Sequence, residues 1–350
     1  MKDSSISPQK KYGNIIYEFV KLIDREILIS FRIYLYMNSI SIATLTLNPS
    51  IDHIITVGRL HSYSKNIIQE TGIYYGGKGI NTAYALGKLG ANVKAIAFTG
   101  ADDCEGSNRK LRSIGADFEP VKINKRTRNT YKVIEADSGR DTEFNEQGFD
   151  ITKNELKDIH KLIANSYASI KWLLLCGSLP PGVPENFYKE IIQESHNHQA
   201  RVCLDTSGSA LQTAIEAKPD ILRINRSELE EIKGQKLLSD SEIFHAMDQL
   251  IKSGIKMIAV SLGADGAAGT DGTNHWRIRQ PPVDVVSTTG AGDAMTAGLI
   301  YSLSDKKPFN EALKFATAVA AASTRKKEPG DFSYEVLHRI LNEIWVQKNK

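Results

Sequence analysis

The chain has 350 residues, 41% of them apolar and 24% charged, with a formal net charge of +3. That length allows one large α/β domain or two modest ones, and the composition is that of an ordinary globular protein. A charge so near neutrality, without a long basic run, gives nucleic acid no electrostatic footprint.

Residues 15–36 are rich in Ile, Leu, Tyr and Phe, but Lys21, Asp24, Arg25, Glu26 and Arg32 interrupt them. The interruptions exclude a membrane-spanning helix, and no small-residue cleavage site follows to make a signal peptide. Residues 1–37 therefore form an extension. It is either a helix appended to the domain surface or, the favoured reading, sequence upstream of a start at Met37, because a strand begins directly after that residue.

From there the chain alternates. Residues 40–47 (ISIATLTL) read as a buried strand ended by Asn48 and Pro49. A helix face over 81–89 stops at Gly90, and a strand follows at 93–98. Strands at 172–176, 202–205, 221–224 and 257–262 alternate with helices at 184–195, 209–215 and 239–253, and two more helices start near Gly292 and Asn310. This rhythm predicts a mostly parallel sheet covered on both faces, with ligands beyond the carboxyl ends of its strands. Two regions, 54–75 and 121–145, break it with short polar strands. They read either as a small β-flap over the mouth of the sheet or as ordinary surface hairpins.

Two glycine loops carry candidate chemistry. GIYYGGKG (72–79) fits G-x-x-x-x-G-K, but Gly79 stands where a P-loop needs the hydroxyl that holds Mg²⁺. The second, TTGAGD (288–293), follows the strand-like residues 283–286 and opens a helix. Small residues at a helix N-terminus can gather N–H groups around an anion, and Asp293 placed there suits a proton acceptor. On the loop alone, Asp293 reads more readily as an ordinary first-turn acid. Neither loop completes G-x-G-x-x-G, since Thr82 and Met295 occupy the third glycine positions, so a dinucleotide enzyme is disfavoured. No G-x-S-x-G elbow occurs. Asp52, Arg128, Ser178, Asp205, Asn225 and Glu228 all fall at predicted strand ends, and an amide with a carboxylate near phosphates suits hydrated Mg²⁺. The three cysteines, Cys104, Cys176 and Cys203, lack metal-site spacing and suit a reducing cytoplasm.

With these residues assembled, the chain resembles the PfkB (ribokinase-like) carbohydrate kinases over residues 40–345. The carriers, in the family's order, are TLNPSID (46–52), GGKGIN (76–81), TRN (127–129), CGSLPPG (176–182), LDTSG (204–208), NRSEL (225–229), SLGADG (261–266) and STTGAGDAMTAG (287–298). The resemblance implies a three-layer α/β/α domain at 38–345 with a small β-sheet lid. The branch most similar phosphorylates fructose 1-phosphate at its C6 hydroxyl to give fructose 1,6-bisphosphate, and the branch acting on tagatose 6-phosphate comes next. A sugar-phosphate sensor that keeps the fold without chemistry is the alternative of a different class.

Carried over by position, Asp293 becomes the base, with the backbone of Gly290, Ala291 and Gly292 stabilising the transferring phosphoryl group. Asp52, Gly77, Lys78, Asn81, Arg128 and Ser178 would hold the sugar phosphate, Lys78 facing the phosphate that is not transferred. Arg223, Ser261, Gly263 and Gly266 would line the ATP site, while Asn225 and Glu228 would order Mg²⁺. The small charge and interrupted apolar stretch leave no nucleic-acid or membrane partner to expect, and the resemblance is consistent with a cytoplasmic protein whose lid can pair into a homodimer, as lids of this family often do. Two positions depart from the family pattern. Arg223 and Ile224 replace Lys-Pro before Asn225, and Ala294 replaces the usual serine after Asp293. The first changes a point charge into a planar fork.

Overall fold

The computed structural model describes residues 41–349, so the extension at 1–37 lies outside them. Fourteen strands are found among the described residues. In chain order they are β1 (Ile42–Thr46), β2 (Ser50–Val57), β3 (Glu70–Gly76), β4 (Val93–Gly100), β5 (Asp117–Ile123), β6 (Arg128–Glu135) and β7 (Asp141–Asn145). Then come β8 (Trp172–Cys176), β9 (Arg201–Asp205), β10 (Ile221–Asn225), β11 (Met257–Ser261), β12 (Ala267–Thr270), β13 (His275–Arg279) and β14 (Trp345–Asn349).

Ten of them form one sheet, ordered β14-β13-β12-β11-β10-β9-β8-β1-β4-β5. The strands from β5 to β11 in that order run parallel, and β12, β13 and β14 complete the edge antiparallel. The central strands are mostly apolar because helices cover both faces, and β8 is apolar at every position. In β8, Leu173 and Leu175 pack into one core layer, against helices that include Lys153–Ser166 and Phe187–Asn197. Trp172, Leu174 and Cys176 face the other layer, against Lys78–Lys88, Ala291–Ser304 and Phe309–Ser323. The expected three-layer α/β/α architecture is thus present.

The parallel register sets the functional edge. Cys176 pairs with Asp205, and Asn225 with Ser261, so these strand ends finish side by side. The other four strands make a second sheet, β3-β2-β6-β7, which rises from that same edge because β2 starts just after β1 ends. One sheet replaces the alternative of separate surface hairpins. Its boundary differs from the expected 121–145, since residues 121–123 belong to β5 on the edge of the large sheet. There Val121 and Ile123 are buried, and an edge position tolerates Pro120.

Residues 283–286, which read as a strand, form none. Their apolar alternation finds no ladder, and only Val286 and its neighbour Ser287 donate, both to the Thr324 carbonyl. The helix expected at 81–89 begins three residues earlier, because Gly77 takes a left-handed φ of 109° as its N-cap. Among the described residues no helix is long and apolar enough to cross a membrane.

Candidate active site

The second glycine loop folds as its composition dictates. Gly290 has φ 77° and caps the helix Ala291–Ser304. A Cβ at Gly290 would lie 2.7 Å from the Gly330 backbone nitrogen, and one at Gly292 would lie 2.7 Å from Arg223 Nη2. Gly290 needs glycine for both its φ and the backbone it meets, whereas a side chain at Gly292 would displace the Arg223 guanidinium. Asp293 sits in the first turn, buried, and its Oδ2 accepts from Asn81 Nδ2 at 3.0 Å. Burial pushes its carboxyl up to about 6; Lys78 and Asn81 pull it down, and Asp205 pushes it further up. A carboxylate with that value is ionised at neutral pH yet basic enough to accept a proton.

Beneath it lies a charged cluster. Lys78, the first residue of Lys78–Lys88, donates from Nζ to Asp205 Oδ1 at 2.5 Å. Thr296 Oγ1 donates to Asp205 Oδ2 at 2.7 Å, and Arg223 Nη1 stands 3.4 Å from the same oxygen. Burial alone would raise the Asp205 carboxyl, but Lys78 and Arg223 outweigh it and hold the group below its ordinary value. Arg223 Nη2 also donates to Ser261 Oγ at 3.1 Å, while its Nε is buried with no protein partner.

Two cavities meet here. One, of about 470 Å³, is lined by Asp52, Gly77, Lys78, Asn81 and Arg128 on one side and by Asn225, Gly290, Gly292 and Asp293 on the other. The second, of about 480 Å³, is lined by Ser261, Gly263, Gly266, Ala291 and an apolar wall that includes Val283, Met295 and Ala321. Arg223, Ser261, Thr288 and Gly292 border both. Asp52 accepts from the hydroxyls of Ser50 and Thr130, each at 2.6 Å. Arg128 donates to the carbonyls of Asn48, Pro49 and Glu146.

Three of the residues singled out in the sequence line neither cavity: Asp205, buried in the charged cluster, Ser178 and Glu228. Ser178 Oγ accepts from Asn48 Nδ2 at 3.1 Å, and Glu228 exchanges hydrogen bonds with Asn225 in a capping box, at 2.7 and 2.9 Å. The Ala291 N–H is also engaged, donating to the Thr288 carbonyl at 3.2 Å. Conversely, sequence reading named Asp205 only as a strand end and passed over Thr130, Thr296 and Lys132. Lys132 reaches from the second sheet to Thr288 Oγ1 at 2.8 Å, with Asp141 at 2.9 Å and Glu143 at 3.0 Å. No sequence signal marks it, since it looks like any polar residue of an alternating strand.

Two cavities that share Gly292 at a helix N-terminus, with a buried carboxylate in the wall of one, suit transfer of a charged group from one ligand to another, which is the work of a kinase. Comparison with known proteins agrees. Residues 45–335 match the family described as pfkB family carbohydrate kinase. The 1-phosphofructokinase of Escherichia coli K12 is 34% identical over 312 residues, covering 87% of this chain and 98% of the relative. That of Borreliella burgdorferi is 33% identical over 307 residues, with the same shares covered. A crystal structure of phosphofructokinase-2 from Escherichia coli, in complex with substrates and products, superposes with a TM-score of 0.81 at 27% identity, covering 87% of this chain and 99% of the other. The chain belongs to the pfkB family of carbohydrate kinases. It is a sugar kinase, a phosphotransferase, and family membership implies ATP as the phosphoryl donor.

Proposed function

We propose that the protein transfers a phosphoryl group from ATP to the C6 hydroxyl of fructose 1-phosphate. The observation that carries the reading is Asp293, buried in the wall of the cavity that the second sheet covers and next in sequence to Gly292, which borders both cavities. The choice of sugar is supported by the two 1-phosphofructokinase relatives, each matched over 98% of its length. Asn81 occupies Asp293 Oδ2, which leaves Oδ1 to take the hydroxyl proton as the oxygen attacks. The first-turn N–H groups of Gly292 and Asp293, together with Gly290, face the transferring group. Ala291 contributes its place in the loop, its own N–H being spent on Thr288. A largely dissociative transfer asks little of a base, so alignment and charge do most of the work.

ATP fits the second cavity. Gly263 and Gly266 open its wall, the apolar side takes a base, and Arg223 presents a buried unpartnered Nε toward phosphate chemistry. Among the described residues no three acidic, histidine or cysteine side chains gather into a cage. Mg²⁺ keeps its waters and rides on nucleotide phosphates, so it asks for few protein ligands. Asn225 and Glu228 would hold it at the helix start, where the bound ion would neutralise charge on the phosphates. Two lids would pair into a homodimer through a surface that exposes Ile73 and Phe144. Three buried free thiols suit the cytoplasm.

The deciding experiment ranks fructose 1-phosphate, tagatose 6-phosphate and fructose 6-phosphate by kcat/KM with ATP. Fructose 1-phosphate is expected first, and either other sugar in that place overturns the assignment. Asp52, Gly77, Asn81 and Arg128 line the acceptor cavity with Lys78, and Ser178 supports it from behind through Asn48. Lys78 opens onto this cavity, not the nucleotide one. Lys78→Ala is therefore expected to raise KM for the sugar phosphate by about tenfold or more, the worth of one charge-assisted hydrogen bond. KM for ATP should stay within about twofold of wild type by the same reasoning. A larger change in the ATP constant would move Lys78 to the nucleotide side.

A further inference from the structure

Lys110 is a lysine where burial is expensive. It lies in the helix Cys104–Arg112, and its side chain is 6% exposed. A buried ammonium is tolerated only when its protons are placed, and here each has a destination. Nζ donates to Asn81 Oδ1 at 3.1 Å and to the Pro329 carbonyl at 3.2 Å. Glu328 Oε1 stands 3.6 Å away, and the Tyr84 ring lies 4.9 Å from the ammonium. Two of these contacts lead directly to the transfer site. Asn81 is the residue that donates to Asp293, and Pro329 backs Gly290, whose Cβ position is 2.7 Å from Pro329 Cβ.

We propose that Lys110 is a positioning residue for phosphoryl transfer, fixing the Asn81 amide so that its N–H, and never its carbonyl, meets Asp293. This rests on the reading of Asp293 as the base. An asparagine amide can turn by half a rotation and present either end. Lysine has donors only, so its contact with Oδ1 leaves Nδ2 as the group that faces the carboxylate. Reversed, the amide would set a carbonyl against the Asp293 oxygens and would raise the proton affinity of the base. The same ammonium holds the Pro329 carbonyl, so one side chain registers the base and the anion loop against a common point.

The charges around the pair set the direction of the test. Asp293 is faced by Lys78, Arg223 and Asp205 as well as by Asn81. Burial pulls the Lys110 ammonium down, and Glu328, Asp52 and Asp293 hold it up. Losing Lys110 removes both the amide's anchor and a positive charge, so Asp293 should bind its proton more tightly. The acidic limb of kcat/KM should then move to higher pH in Lys110→Met.

A double-mutant cycle with Asn81→Ala tests this, read on the complete enzyme with ATP and the sugar phosphate. In the wild-type background, Lys110→Met is expected to move the acidic limb upward by about half to one pH unit. It should lower kcat at pH 7 by about tenfold, with KM for ATP within about twofold. In the Asn81→Ala background the same change should move the limb by less than about a third of that, because the relay is already cut. A limb that stays in place, or one that moves equally in both backgrounds, overturns the proposal. If the methionine variant does not fold, Lys110→Gln runs the same cycle. Failure of the underlying reading shows separately, as retained turnover in Asp293→Asn.

Discussion

Replacing Asp293 with asparagine is expected to lower kcat by at least about two orders of magnitude, the usual contribution of a positioned base, while leaving both substrates bound. The same change should make the protein more stable at neutral pH. Asp293 carries a carboxyl raised from 3.8 to about 6, chiefly by burial, so folding strips solvent from an ion that would sooner stay hydrated. An acid raised in the folded state binds more protons there than when unfolded, so stability falls as pH rises from about 4 to about 6 and is level above that. At pH 7 the cost is on the order of 3 kcal/mol as an upper bound, and the asparagine variant does not incur it. Urea titrations of both proteins at pH 4 and pH 7.5, with kcat measured at the higher pH, give the two readouts together. The expected pattern is a variant slower everywhere, equal in stability near pH 4 and more stable near pH 7.5. Turnover near wild type would remove Asp293 as the base. A variant less stable at pH 7.5 would mean that its amide is worse accommodated than the buried carboxylate.

How much of this was legible in the sequence depended on the range of the cause. The strand at 172–176 announces itself because a strand covered on both faces is apolar at every position, and 221–224 does so by its Ile and Leu residues despite Arg223. The loop at 288–293 is legible because glycine is needed wherever a side chain would strike Arg223 or Gly330. Family resemblance then placed most of the cavity lining, which composition and periodicity alone left as strand-end polar residues. What stayed hidden was set by distant partners. Asp205 meets Lys78 across 127 positions of sequence, and only the parallel register shows that they converge. Residues 283–286 alternate like a strand but have no neighbour to pair with, whereas the polar β14 pairs with β13 because that edge was open. Lys110 could not be found at all from its neighbours in the chain, since its helix otherwise reads as a solvated surface turn. Its meaning comes from Asn81, 29 positions earlier, and Pro329, 219 positions later.

Asp205→Asn is expected to cost about 3–5 kcal/mol of stability, a large share of the roughly 5–15 kcal/mol available to a folded protein. The carboxylate is inaccessible and serves Lys78, Arg223 and Thr296 at once. Asparagine keeps one acceptor oxygen and the shape but removes the charge, which leaves two cations near each other in a poorly solvated place. Loss of one member of a buried ion cluster is costly for that reason, even where the complete cluster adds little net stability. The pH dependence has a definite sign. Asp205 is held below its ordinary value in the folded protein, so its contribution is complete above the unfolded carboxyl near 3.9 and is lost as pH falls through the lower folded value. The stability gap between wild type and variant should therefore be full at pH 7 and close in strong acid. Catalysis should change in the opposite sense from Lys110→Met. Lys78, freed from Asp205, is left with Asp293 as the carboxylate that acts on it most strongly, and that attraction would lower the proton affinity of the base and shift the acidic limb of kcat/KM to lower pH. A loss below about 1 kcal/mol with an unmoved limb would show that Arg223 and Lys78 are neutralised by something other than Asp205. If both effects are found, the two aspartates divide one task. Asp205 holds the cations in place, and by doing so keeps them from capturing the carboxylate that must stay free to take a proton.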